Sequence, residues 1–102
     1  VIAARLPLLA DLFEVVEAET PYGGRSVSYE PVGSAWLRLG TPRRRERTEA
    51  GRGSTVETLT AESRIDSRLT VGRVLRFGGG HWRIVSGEAD SARVILNLER
   101  TR

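Results

Sequence analysis

Hydrophobic and polar residues alternate with a period of two along much of this chain, the pattern of strands that bury one face and wet the other. Between Ser34 and Leu39, the side chains of Ala35, Leu37 and Leu39 share one face while Trp36 and Arg38 share the opposite one. Near the carboxy terminus Val94, Leu96 and Leu98 alternate in the same way with Arg93, Ile95 and Asn97. No stretch shows a sustained helical period, so the pattern predicts an all-β chain.

Turn chemistry divides the remaining strands. Leu12–Ala18 is rich in β-branched and aromatic residues and runs into Thr20-Pro21-Tyr22-Gly23-Gly24, which predicts a hairpin returning over Ser26–Val32. Pro31 cannot donate to a ladder, so it argues for an edge position or a break. Val74–Phe77, the triple glycine Gly78-Gly79-Gly80 and His81–Val85 predict a second hairpin, since glycine allows positive φ in a tight turn. A further turn is expected over Gly87–Ser91, so the chain should end in a three-strand meander. Thr55–Ile65 is ambiguous between strand and helix, and the β-branched Val56, Thr58 and Thr60 favour the strand. Six or seven short strands with few helices and no fixed repeat point to a small antiparallel β-barrel or sandwich.

One segment breaks the pattern. From Gly40 to Ser54 no apolar alternation survives, and connections of that length inside a compact domain are usually functional or disordered. Arg43, Arg44, Arg45, Arg47 and Arg52 fall within it, five of the sixteen basic residues of the chain. Thr41 could cap a helical turn with Pro42 at its first position and Gly51 closing it. Three arginines in that first turn would oppose the helix dipole until an anion sat there. Stretched out and back, fifteen residues reach roughly 25 Å from the body of the fold.

Length and charge set the frame. At 102 residues the chain is one domain, here taken as residues 1–102 with an amino-terminal arm over 1–11 and the long basic loop over 40–54. Such a domain buries about two-thirds of its unfolded surface, enough for a single core. The net charge is only +3, so the basicity is a local patch. Every basic residue is arginine, which keeps its charge at all relevant pH and forks onto phosphate oxygens. The apolar opening through Ala10 is interrupted by Arg5 and Pro7 and is far shorter than a membrane span, so no membrane partner is expected. It lacks a basic leader, which speaks against a signal peptide, and because it begins with Val1 a few leading residues are taken to be missing.

The chemistry that the chain lacks narrows its function. With no cysteine there is no disulfide, thiolate metal site or cysteine nucleophile. His81 is the only histidine, with no second ligand to make a zinc site and no Gly-x-Ser-x-Gly elbow to serve, and it reads as an exposed strand residue. Without lysine there is no Walker loop, and Gly51-Arg52-Gly53 is too short for a dinucleotide fingerprint. Carboxylate pairs such as Glu17 with Glu19 or Glu62 with Asp66 read as solvated strand charges. The expectation is a non-enzymatic protein with no catalytic residue, cofactor or metal. Trp36 and Trp82 are candidates for either core or interface, with core the default for each, and Tyr22, at a glycine turn, is a candidate surface contact.

Taken in order, the Tyr22-Gly23-Gly24 turn, the strand at Ala35-Trp36-Leu37, a polar loop ending Glu49-Ala50-Gly51 and the run Gly72–Gly79 followed by Trp82-Arg83-Ile84 form a recognisable series. It resembles the tailed-phage head-closure family, also called stopper or head–tail joining proteins, over about Leu12–Arg100. The all-arginine composition suits a GC-rich bacterial source, where gene transfer agents carry similar connectors.

The resemblance implies a virion or phage-like particle protein, assembled in the bacterial cytoplasm and placed at the head–tail joint. Its partners would be further copies in a ring, six or alternatively twelve, a portal or adaptor ring on the head side, and a tail terminator or tail tube below. Such a ring closes the DNA exit of the filled head and gives the tail a docking platform. The long loop would project toward the channel, so Arg43, Arg44, Arg45, Arg47 and Arg52 would face packaged double-stranded DNA or a neighbouring ring, with Tyr22, Trp36 and Trp82 as interface candidates. The apolar start could pack on an adjacent subunit. The alternative reading is a free-standing small-barrel nucleic-acid-binding domain, against which stands the scarcity of aromatic residues, six in all and not clustered.

Overall fold

The computed structural model describes residues 7–49 and 52–101, which form seven strands. They are β1 (Leu8–Glu19), β2 (Arg25–Leu39), β3 (Arg43–Glu49), β4 (Arg52–Arg64), β5 (Val74–Phe77), β6 (Gly80–Ala89) and β7 (Arg93–Thr101). All pairings are antiparallel, in the spatial order β2-β1-β5-β6-β7-β4-β3. An additional pairing of β2 with β4 ties the sheet into a ring of strands. It consists of only two residue pairs, Arg38 with Glu62 and Leu39 with Ala61. The expectation of an all-β antiparallel fold therefore holds, but the barrel or sandwich is corrected to one continuous sheet drawn round on itself and tied at a short seam.

Alternation places the core. Ala10, Leu12, Ala35, Leu37, Leu59, Ala61, Leu75, Trp82, Ile84, Leu96 and Leu98 point inward from β1, β2, β4, β5, β6 and β7 and are buried. Each fully buried leucine or isoleucine contributes about 1.5–3 kcal/mol relative to an exposed one. Trp36, Arg38, Arg93 and Ile95 face outward, as the period of two requires.

Several strands run longer than the sequence pattern suggested. β2 continues straight through Pro31, which sits where β2 has β1 on one side and no strand on the other, the edge position a proline tolerates. Val32 is the extra residue of a bulge, because Leu12 pairs with Gly33 and Phe13 with Pro31. β6 runs past Gly87, so the expected turn shifts to Asp90, whose Oδ1 accepts hydrogen bonds from the amides of Ala92 (2.9 Å) and Arg93 (3.0 Å). Between β5 and β6, Gly78 and Gly79 have φ of 58° and 77°, as a two-residue primed turn requires.

The largest correction concerns residues 40–54. The expected loop with a helical turn at Thr41 is a β-hairpin, in which Arg43–Glu49 pairs with Arg52–Thr58; Gly51 lies outside the described residues. The arginine run rejects a helix because its charges oppose the dipole, whereas opposite a strand of Thr55, Val56 and Thr58 those side chains spread to both faces. β3 also continues β2 along the same edge of β4: Leu39 faces Ala61, the Gly40 amide donates to the Thr60 carbonyl at 2.7 Å, and Arg43 faces Thr58. Gly40 is required there, since a Cβ would run into the Thr60 hydroxyl. Of the expected amino-terminal arm, Leu8–Asp11 belongs to β1, and residues 1–6 lie outside the described residues.

Two charged hairpin arms as the candidate interaction surface

Strand pairing leaves two hairpins with no sheet around them. β1 pairs with β5 only over Asp11–Phe13, so Glu14–Glu19 and Arg25–Glu30 pair only with each other. β4 pairs with β7 only from Thr58 onward, so Arg52–Glu57 is held by β3 alone. Because β1 and β4 are both antiparallel to β2, they run in the same direction. The first arm extends from the carboxy-terminal end of β1 and the second from the amino-terminal end of β4, so the two leave opposite ends of the molecule. The radius of gyration of 15.2 Å exceeds the roughly 13 Å of a compact chain of this length, and the long axis reaches 53 Å.

The second arm carries the predicted arginines. Arg43, Arg44 and Arg45 are exposed on β3, with Arg43 opposite Thr58, Arg44 opposite Glu57 and Arg45 opposite Val56. Arg47 and Arg52 lie further out on β3 and β4. Pairing thus brings all five into one hairpin, on a hydrogen-bonded ladder where the sequence suggested an irregular loop. At the base of the hairpin the Glu57 carboxylate meets Arg44 at 3.8 Å and Arg100 at 3.3 Å, and Arg100 in turn lies 6.0 Å from the Trp82 ring centre. Arg43 and Arg45 have no ion-pair partner among the described residues.

The first arm is acidic. It bears Glu14, Glu17, Glu19 and Glu30 against the single cation Arg25, which pairs with Glu17 at 3.5 Å. Glu14 and Glu30 stand directly opposite each other across the ladder, both exposed. Facing like charges are destabilising by some tenths of a kcal/mol. At the tip, Thr20 organises the turn through its carbonyl and hydroxyl, and Tyr22 stands 98% exposed.

The three aromatic candidates separate. Tyr22 and Trp36 are exposed, the latter 61% so, and both are available to a partner. Trp82 is buried in the core and stacks on Phe77 with ring centres 5.7 Å apart, which corrects its place among the surface candidates to the core position that was its default. His81 is half-buried, not exposed, and stacks on Tyr29 at 5.5 Å. The acidic arm went unread in the sequence, although its signal is present: four glutamates placed on two strands that a turn brings together.

Among the described residues no three metal-ligating side chains cluster, and no buried side-chain polar atom lacks a hydrogen-bond partner. What the exposed side chains offer is charge and a few aromatic rings.

No protein-family model and no curated protein sequence matches the chain. Two solved structures share its fold over nearly their whole lengths. The phage-like element PBSX protein xkdH from Bacillus subtilis is 12% identical, with a TM-score of 0.57 over 94% of this chain and 96% of that one. A chain from the virion of a native gene transfer agent particle is 18% identical, with a TM-score of 0.70 over 97% of this chain and 98% of that one. At such identities the likeness is one of fold, and it spans nearly the whole chain.

Proposed function

We propose that this protein is a structural subunit of a phage-like particle, a member of the ring that joins head to tail, closes the DNA exit of the filled head and offers the tail a docking surface. The observation that carries the reading is the end-to-end likeness to a gene transfer agent virion chain, with a TM-score of 0.70 and coverage of 97% and 98%. The likeness to the PBSX protein, also from a phage-like element, supports it independently.

In this reading six copies form the ring, with a portal or adaptor above and a tail terminator or tube below. The basic hairpin points toward the channel, so that Arg43, Arg44, Arg45, Arg47 and Arg52 meet the phosphates of packaged double-stranded DNA. One hairpin makes few phosphate contacts and binds weakly, but symmetry multiplies the contact around the channel. The protein acts by holding, not by catalysis. Imaging of the assembled particle tests the reading: density for this chain at the head–tail joint with residues 43–52 lining the lumen is expected, and a hairpin pointing away from the axis overturns it.

A further inference from the structure

We infer that the acidic β1–β2 hairpin of one copy docks on the outer face of a second copy around Trp36, between Arg38 and Arg64. The inference rests on the ring-subunit reading and names the surfaces through which neighbouring copies meet.

The receiving face is built where the β2–β4 seam ends. Above the Arg38–Glu62 pair the two strands part and leave a cleft of 720 Å³, with Trp36 and Ile65 on its lips, 61% and 53% exposed. Trp36 pairs across β1 with Leu9, itself 52% exposed, which makes a continuous apolar strip on the outer face. A largely exposed tryptophan beside an exposed arginine, here Trp36 with Arg38, is the composition of an interface hot spot. The cations around it are partly compensated: Arg93 pairs with Glu62, and Arg68 with Asp66 at 2.6 Å. Arg38 and Arg64, both exposed, have no ion-pair partner among the described residues.

The occupant is argued from charge and geometry. In the acidic arm Arg25 answers Glu17, leaving Glu14, Glu19 and Glu30 without an ion pair among the described residues. Two unanswered cations beside an exposed tryptophan on one surface thus match the two unanswered carboxylates of Glu14 and Glu30, which share one face of the arm with Ser28, whereas Glu19 and Val27 lie on its other face. A guanidinium set between Glu14 and Glu30 removes their mutual repulsion, so the contact is favoured by relief as well as by attraction. The arm cannot reach its own copy's face, because Glu30 and Trp36 lie on the same continuous strand, six residues or about 20 Å apart. The contact is therefore between copies, and it joins unlike surfaces, the kind that closes into a ring when the rotation allows. It also leaves the basic hairpin free for the channel.

The chain has no cysteine, so engineered thiols report the contact cleanly. Full-length Ser28→Cys is mixed with full-length Ser34→Cys and oxidised, both free in solution and in assembled particles. The mixed disulfide is expected, at least about tenfold above the yield from Ser28→Cys with Thr55→Cys, which places the second thiol on the basic hairpin. Reversing Arg38 and Arg64 to Glu should abolish the product, and reversing Glu14 and Glu30 to Arg on the other partner should restore it. Yield no higher than the control, or yield indifferent to charge reversal, overturns the inference. Particles that carry the chain as a ring at the joint yet give no disulfide remove this contact alone, whereas absence of the ring removes the connector reading itself.

Discussion

Arg68 grips Asp66 through two parallel hydrogen bonds, Nε to Oδ1 at 3.0 Å and Nη2 to Oδ2 at 2.6 Å, and the same Nη2 donates to the Ser34 carbonyl at 3.0 Å. One guanidinium thereby fastens the 65–73 connection to β2 beside its bulge. The fork holds the Asp66 carboxyl below its ordinary value of 3.8, chiefly through the side-chain hydrogen bond, with the Arg68 amide donating as well.

The sign of the pH dependence follows. A carboxylate with a lowered folded pKa stabilises fully above its unfolded pKa and loses that contribution as the pH falls through the folded value. The stability difference between the native chain and Asp66→Asn should be constant at neutral pH and shrink below about pH 4. Urea midpoints measured across that range check it. A difference that persists undiminished into strong acid would assign the role of Asp66 to shape and not to charge.

Gly33 is the neighbour of this clamp and has φ of 149°, and a Cβ there would collide with the Arg68 guanidinium. Gly33→Ala should cost about 1–3 kcal/mol in backbone strain and displace the clamp. At this size each kcal/mol lowers the thermal midpoint by roughly 4–8 °C. Calorimetry reads the effect, and an unchanged midpoint would show that the bulge relaxes freely.

At Gly40 the prediction is one of coupling. Gly40→Ala forces the new methyl against the Thr60 hydroxyl, with the Thr60 carbonyl 3.2 Å away. It should loosen the two-pair seam, seen as faster amide exchange at Arg38 and Leu39. Thr60→Ala removes the hydroxyl, so the double variant should recover part of the loss, a non-additivity of about 0.5 kcal/mol or more in a double-mutant cycle.

Arg43, Arg44 and Arg45 are exposed on a hairpin that contributes nothing to the core cluster. Their joint change to Ala should leave the thermal midpoint within a few degrees and yet give filled heads that leak DNA. Heads that retain DNA normally would remove the hairpin from the mechanism.

The isolated chain should bind duplex DNA feebly, with a salt slope near −3 if three phosphates are met. Tight, steeply salt-dependent binding by the monomer would favour the free-standing nucleic-acid-binding domain instead. A titration at several salt concentrations separates the two.

Where one face is buried, the strands were legible in the sequence. Ala35 and Leu37, or Leu96 and Leu98, are spaced by two because a single core lies on one side of the sheet. β3 was not legible for the same reason: its run from Arg43 to Glu46 is exposed throughout and has no buried side to write an alternation, and its strand character comes from the partner Thr55–Thr58. Gly87 misled in the other direction. It reads as a turn residue, but it lies within β6, where a Cβ would come within 3.2 Å of Leu96 Cδ2, so its smallness serves packing. Trp82 shares the phase of Ile84 and faces Leu75, so its burial was written in the register. Residues 43–52 were marked by charge alone, while the glutamates of the opposite arm became a group only once β1 and β2 were aligned.

Because β3 continues β2 along one edge, a nearly uninterrupted line of backbone runs from the Tyr22 turn to Glu49, from one extremity of the molecule to the other. It has two soft joints, the bulge at Val32–Gly33 and the offset between Gly40 and Arg43. Load applied at either tip would pass along this line of backbone, and the two breaks in its ladder are where it would bend first. In the proposed ring subunit, such a line of backbone would act as a lever between the two ends of the molecule without any rearrangement of the core.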